Sequence, residues 1–163
     1  MKKNTKKIVT AAGIAAGTAA VASLYAYVTI KALIDTALDR EMPKVMEKAD
    51  KRISGEKSSD EFTNRMESAS ESLAVQPNET VEIIAHDGEK LVGHYFPCEK
   101  PERVIIAFHG WRSSWHRDFG MISDFWYKNN CSVLYVEQRG QNNSSGEYMG
   151  FGLTERFLCV DWA

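Results

Sequence analysis

The chain has 163 residues, of which 44% are hydrophobic and 26% are charged, and its formal net charge is −2. This balance is typical of a globular chain, and the length leaves room for one small soluble domain after an apolar N-terminal segment. Basic residues are neither in excess nor concentrated after residue 80, so we expect no nucleic-acid partner. The cysteines, Cys98, Cys131 and Cys159, form no Cys-x-x-Cys pair and have no His at ligand spacing. The sequence therefore predicts neither a metal site nor a cofactor.

The N-terminal stretch from Ile8 to Ile30 contains no charged residue and has about the length that an α-helix needs to cross a bilayer. We interpret residues 1–34 as a membrane anchor, with residues 8–30 in the bilayer. The alternative is a signal peptide cleaved after Ala20-Val21-Ala22, which would release a secreted protein. The uncleaved anchor is favoured because the apolar run exceeds the usual signal-peptide core of about 7 to 15 residues.

Lysines flank this segment at its start and predict its orientation. Because basic residues favour the cytoplasmic side, they predict a single-pass protein with a cytoplasmic N-terminus and the remaining domain outside the cytoplasm. Basic residues on the other flank weaken the asymmetry. The lysines before the segment are Lys2, Lys3, Lys6 and Lys7, and the basic residues after it are Lys31, Arg40, Lys44 and Lys48.

Residues 35–77 are polar and carry two apolar faces at helical spacing, which predicts a helical juxtamembrane stalk. Such a stalk either packs on the following domain or spaces it from the bilayer. The first face comprises Ile34, Leu38, Met42, Val45, Ala49 and Ile53, and the second comprises Phe62, Met66, Ala69 and Leu73. The Gly- and Ser-containing residues 54–59 predict a turn between the two helices.

Residues 78–163 show the pattern of an α/β domain. Alternating residues on either side of Asp87-Gly88 predict a hairpin with a two-residue turn. Continuous apolar runs at Val104–Phe108 and at residues 132–136 predict buried parallel strands, joined by a helix over Trp115–Lys128. That helix carries Phe119, Ile122, Phe125 and Trp126 on its predicted sheet-facing side, and a further helix begins near Thr154 and runs to Trp162.

His109-Gly110-Trp111 directly follows the first apolar strand. A Gly there lets the backbone turn sharply and can direct amide N–H groups into a cleft, where they would stabilise a negative oxygen. The segment resembles the oxyanion loop of α/β-hydrolases, as Asp87-Gly88-x-x-Leu91-x-Gly93-x-Tyr95-x-Pro97 resembles their first hairpin. Glu137-Gln138-Arg139-Gly140 resembles their loop after the fourth strand, with Glu in place of the usual Asp.

The resemblance is to membrane-anchored bacterial serine aminopeptidase-like or esterase-like hydrolases and covers residues 80–163. It implies an incomplete α/β-hydrolase fold, preceded by the anchor and the stalk, that ends before the nucleophile elbow. It also implies that the backbone N–H of Trp111, supported by His109 and Gly110, forms part of an oxyanion hole. Trp111 and Trp115 side chains belong either to a pocket mouth or to the core, and the core is favoured.

The resemblance places the catalytic Ser, acid and His downstream of residue 163, so none of the chain's own His, Ser or acidic residues is assigned a catalytic role. The complete protein is therefore expected to hydrolyse an ester, thioester or amide bond of a small molecule or peptide, and these residues alone to be inactive. The alternative is a membrane-tethered binding or scaffold protein with the same fold. A Gly-x-Ser-x-Gly within about 10 to 30 further residues would favour the enzyme.

Overall fold

The computed structural model describes residues 2–41, 44, 48 and 60–163. The chain divides into two compact units, Met1–Ala37 and Leu38–Ala163. The helices are α1 (Lys2–Leu38), α2 (Glu61–Ala74), α3 (Trp115–Lys128) and α4 (Leu158–Asp161), with a 3-10 turn at Glu155–Phe157. The strands are β1 (Glu79–Ile84), β2 (Lys90–Phe96), β3 (Arg103–Phe108) and β4 (Cys131–Val136).

The first unit is part of α1, which contains the predicted segment from Ile8 to Ile30. Its apolar stretch Gly17–Leu38 has a mean hydropathy of 1.4, and none of it is buried within the protein. A helix of this length and composition is suited to a membrane span or to a signal sequence.

The second unit is built on a mixed sheet of four strands in the order β1-β2-β4-β3. β1 pairs antiparallel with β2, β2 pairs antiparallel with β4, and β4 pairs parallel with β3. The parallel pair is joined by α3, as a crossover connection requires. The predicted α/β fold class is therefore confirmed, and both apolar runs form the predicted parallel strands.

The hairpin between β1 and β2 differs from the prediction in its turn. Ala85 N–H donates to the Glu89 carbonyl at 2.8 Å, and Gly88 N–H donates to the Ala85 carbonyl at 2.9 Å, so three residues form the loop. Gly88 has φ +92°, whereas Asp87 is not among the residues with positive φ. A two-residue type I′ turn needs positive φ at both central positions, and only the Gly adopts it easily.

Side chains on the two faces of the sheet form two clusters. The cluster between the sheet and helices α2 and α3 contains Leu73, Ala107, Trp115, Cys131, Val133 and Tyr135. The cluster on the opposite face contains Ala85, Leu91, Val136, Leu158 and Trp162. Gly93 in β2 admits Trp162, because a Cβ at this position would lie 3.0 Å from the indole ring. The C-terminal residues thus cover the second face through a 3-10 turn and one short helix, rather than through the single predicted helix from Thr154 to Trp162.

The packing of α3 corrects the predicted orientation of that helix. Trp115 and Ser123 are buried, and Phe119 and Trp126 pack on the core, but Phe125 is 62% exposed and Ile122 is also exposed. The helix contacts α2 as well as the sheet, and a Cβ on Gly120 would lie 2.7 Å from the backbone of Ala69. Small residues therefore occupy positions that the hydrophobic pattern does not mark as buried.

α2 packs against α3 and places Leu73 in the core. Asp60 caps the start of α2, its side chain accepting a hydrogen bond from Phe62 N–H at 3.3 Å. The predicted first face over Met42–Ile53 and the predicted turn at residues 54–59 lie outside the described residues, apart from Lys44 and Lys48.

Candidate oxyanion-loop site

The candidate site lies where the parallel strands β3 and β4 end. Carboxyl ends of neighbouring parallel strands meet at one edge of a sheet, where open α/β sheets bind their ligands. His109–Ser114 follow β3, and a loop from Glu137 to Thr154 follows β4. The structure thus brings the two loop motifs identified in the sequence together at one edge.

His109 joins the two loops. Its side chain is buried, and its Nε2 accepts hydrogen bonds from Gln138 N–H at 3.2 Å and from the Asn142 amide at 3.1 Å. Nε2 is therefore the acceptor nitrogen, which leaves Nδ1 to donate to the Gly110 carbonyl at 2.9 Å. Burial lowers the pKa of His109, as it disfavours the charged imidazolium. His109 is thus a neutral structural link.

Asp118, in the first turn of α3, holds the loop after β3. It accepts from Gly110 N–H at 2.6 Å and from the Ser113 hydroxyl at 2.5 Å. A carboxylate at a helix N-terminus is also stabilised by the helix dipole. No role was predicted for Asp118, although an acidic residue in the first turn is a signal for the start of a helix.

Gly110 does not serve as the sharp turn that the sequence analysis expected. The residue with positive φ is Arg112 (49°), in a turn closed by Ser113 N–H donating to the Gly110 carbonyl at 3.3 Å. A Cβ on Gly110 would lie 3.3 Å from Asp118 Oδ2, so glycine permits the close approach of that carboxylate. The hydrogen bond between Gly110 and Asp118 therefore fixes the backbone next to Trp111.

The tryptophans near the site have different environments. Trp115 is buried between His94 and Tyr135, with ring centroids 4.5 and 5.6 Å away, as the core interpretation predicts. The Trp111 side chain is instead 44% exposed and lies 6.0 Å from the ring of Phe151. The preference for a core position is therefore wrong for Trp111, because its place in the turn directs the indole outward.

Glu137 is a buried carboxylate that organises the loop after β4. It accepts from His94 Nε2 at 2.8 Å, from Asn143 N–H at 2.5 Å and from the Asn143 amide at 2.9 Å. Burial acts to raise the pKa of Glu137, but these hydrogen bonds outweigh it and the pKa lies below its ordinary value. These hydrogen bonds tie His94 and Asn143 to the end of β4, so Glu137 has a structural role.

The segment Leu38–Glu41, which we call the strap, also binds this loop. The Arg40 guanidinium donates to the carbonyls of Asn142 at 2.6 Å and Ser144 at 2.9 Å, and Arg112 donates to the Asp39 carbonyl at 2.8 Å. Guanidinium groups satisfy several carbonyls at once through their fixed fork of donors. Arg40 was predicted only as a basic residue that flanks the apolar segment, and its role in this loop was not predicted.

The remaining histidines have structural partners. His86 pairs with Asp161 at 3.1 Å, and His116 contacts the hydroxyls of Ser70 at 2.9 Å and Ser114 at 3.0 Å. Burial lowers the pKa of His116. Among the described residues, His, Cys, Asp and Glu side chains form no group of three that could hold a metal ion.

An ion pair between Asp87 and Arg139 ties the hairpin to the second loop, with contacts of 2.5 and 2.6 Å. The hydrogen bond from Arg139 lowers the pKa of Asp87 to about 2. The ionised carboxylate therefore stabilises the folded chain above its ordinary pKa of 3.8, and this contribution is lost as the pH falls from about 4 to 2. Because the Asp87 carboxylate is exposed to solvent, screening by water reduces the contribution of this ion pair to stability.

We expect the free energy of unfolding of the 163-residue chain in detergent to fall more steeply over this pH range than that of Asp87→Asn. The measurement is denaturant unfolding followed by tryptophan fluorescence. Glu82→Gln, which removes the exposed pair with Lys90 on the same hairpin, is the control and should retain the wild-type slope. Equal slopes for the wild type and Asp87→Asn would contradict the assignment.

Comparisons with known proteins give structural similarity only. No protein-family model and no curated protein matches the chain. Among solved structures, the Pyrococcus furiosus esterase Pf2001 matches at 26% identity and a TM-score of 0.47, over 56% of this chain and 35% of the esterase. An α/β-hydrolase from Vibrio vulnificus matches at 19% identity and a TM-score of 0.40, over 72% of this chain and 41% of that protein.

A third match is the α/β-hydrolase GrgF from Penicillium sp. sh18, at 25% identity and a TM-score of 0.39, over 44% of this chain and 25% of GrgF. The chain spans between a quarter and about two-fifths of the length of these three structures.

Proposed function

We propose that these residues form the oxyanion-loop side of a membrane-anchored serine hydrolase that acts on ester, thioester or amide bonds. The observation that supports this best is the convergence of two loops at the carboxyl edge of β3 and β4, fixed to one another by His109. A preorganised backbone in such a place can stabilise negative charge that develops on a substrate oxygen, without reorganising during the reaction.

The proposed donor is the backbone N–H of Trp111. Gly110 N–H is engaged by Asp118, and the Gly110 carbonyl accepts from Ser113 N–H, so the residues on either side of Trp111 are held. Because these neighbours are held, the peptide N–H of Trp111 is restricted in the direction it can point. The nucleophile, its acid and its base are proposed to come from residues that follow Ala163, in the chain order Ser, acid, His.

The test is hydrolysis by the product of the complete gene, purified in detergent, of acyl esters, acyl thioesters and aminoacyl anilides. We expect turnover of at least one class and none by the 163-residue chain alone, since the oxyanion loop without a nucleophile forms no acyl-enzyme. Turnover of none of the three classes by a folded complete protein would favour the scaffold alternative.

We also propose that α1 is an uncleaved anchor that leaves the second unit outside the cytoplasm. This is supported by the exposed apolar stretch Gly17–Leu38 and by the lysines that precede it. The chain is expected to remain in the membrane pellet after carbonate extraction, whereas residues 38–163 expressed alone should be released. A soluble species beginning near Ser23 would instead show cleavage of a signal peptide.

A further inference from the structure

Four exposed apolar side chains near the strap make up what we call the loop patch: Trp111 lies 6.0 Å from the ring of Phe151, and Tyr148 and Leu153 line one cavity together with Leu38. Trp111 is 44% exposed, Tyr148 58%, Phe151 60% and Leu153 73%. Trp111 comes from the loop after β3 and the other three from the loop after β4. Single exposed apolar residues need no explanation, but a cluster of large ones marks a surface that another apolar phase or partner covers.

The chain enters the second unit at this patch. Met149 N–H donates to the Leu38 carbonyl at 2.7 Å, Asp39 forms an isolated β-bridge with Tyr148, and Arg40 N–H donates to the Glu147 carbonyl at 3.0 Å. The Arg40 guanidinium adds the bonds to Asn142 and Ser144. Leu38 is also the last residue of α1. Residues next to the end of the apolar helix are therefore bonded directly to the loop that carries Tyr148 and Phe151.

We propose that the loop patch lies in the interfacial layer of the bilayer and holds the candidate site at the membrane surface. The inference rests on the proposed membrane anchor. A helix that leaves the hydrocarbon near Leu38 leaves the residues immediately after it at the lipid headgroups. The strap, which consists of these first residues after the helix, is hydrogen-bonded to Glu147 and Met149. The loop patch is therefore held at the headgroup layer as well. Trp and Tyr are the side chains that favour this layer.

The chemistry of the patch indicates that its partner is the apolar part of the interface and not anionic headgroups. Arg112 lies over the ring of Trp111, at 5.3 Å from its centroid. Glu147, which is exposed and precedes Tyr148 in the chain, supplies a compensating negative charge. Contact should therefore form with zwitterionic lipid alone.

The test uses tryptophan emission from the 163-residue chain in phosphatidylcholine vesicles whose acyl chains are brominated near the headgroup. None of the four tryptophans lies in α1, so the emission comes only from the second unit. Bromine quenches a tryptophan that touches it. We expect quenching in the wild type and its loss in Trp111→Phe, while Trp126→Phe, which alters a ring packed on Tyr135, retains it.

Phe151→Asp should reduce the quenching of Trp111 by placing a charge in the patch. The proposal is overturned if vesicle-inserted wild type shows no quenching, or if Trp111→Phe is quenched as strongly as the wild type. If acrylamide dissolved in the water quenches Trp111 and bromine does not, the patch faces solvent. If neither reagent quenches Trp111, protein covers the patch. Either result contradicts the proposal. Carbonate extraction of the same vesicles reports failure of the anchor separately.

Discussion

Replacing Gly110 with Val is expected to lower the hydrolytic rate of the complete protein by about 100-fold or more, the cost of losing an oxyanion donor. A Cβ at residue 110 would already lie 3.3 Å from Asp118 Oδ2, and the two methyl groups of Val would force that carboxylate away. Asp118 would then release Gly110 N–H and the Ser113 hydroxyl, and the Trp111 peptide would lose its direction.

Trp111→Ala is the matched variant, because it removes the side chain and keeps the backbone N–H. We expect it to retain most of the rate in detergent, where contact with lipid makes no contribution. Steady-state kinetics of both variants, together with their unfolding curves, separate a catalytic effect from loss of the fold. Equal losses of rate in Gly110→Val and Trp111→Ala would contradict the assignment of the Trp111 backbone N–H as the oxyanion donor.

Residues 38–163, expressed without the apolar helix, are expected to self-associate and not to unfold as a stable monomer. β3 is the last strand of the sheet, and among the described residues no strand pairs with its outer side. An edge of this kind presents unpaired N–H and C=O groups to other chains. Val104, which the sequence predicts as buried, is 62% exposed, and so is Phe125 on α3.

Self-association would bury exposed apolar side chains such as Val104 and Phe125. Apolar surface contributes about 25 cal/mol per Å², and a domain of this kind is stable by only about 5 to 15 kcal/mol. Size-exclusion chromatography and denaturant unfolding are the measurements. Val104→Lys should reduce association by charging the open edge, whereas Val75→Lys, at an exposed position outside the sheet, should not. A sharp cooperative transition from a monomer would refute the account of this edge.

Much of the fold could be predicted because the elements that form it have local signals. β3 and β4 lie within one residue of the predicted apolar runs, and α3 begins and ends where the pattern predicts, since Asn129-Asn130 interrupts both patterns. The hairpin was predicted as well, but its turn was not, because Asp-Gly serves both two- and three-residue loops.

The site was only partly predictable, because its geometry depends on contacts between residues far apart in the chain. Arg40 and Ser144 are 104 positions apart, and His109 and Asn142 are 33 positions apart. No periodicity or motif encodes such pairs. The outward direction of Trp111 was missed for a related reason: the loop that carries it turns at Arg112 through a positive φ, a conformation that is rare for a residue other than glycine.

Covalent labelling of the complete membrane-embedded protein with an alkyl fluorophosphonate tests most directly whether this chain is the oxyanion side of a serine hydrolase. The reagent phosphonylates an activated serine and leaves ordinary hydroxyls unmodified. We predict one adduct, on a serine downstream of residue 163, and weaker labelling in Gly110→Val. Absence of labelling in the folded complete protein, or an adduct on Ser113, Ser114, Ser144 or Ser145, would contradict the account.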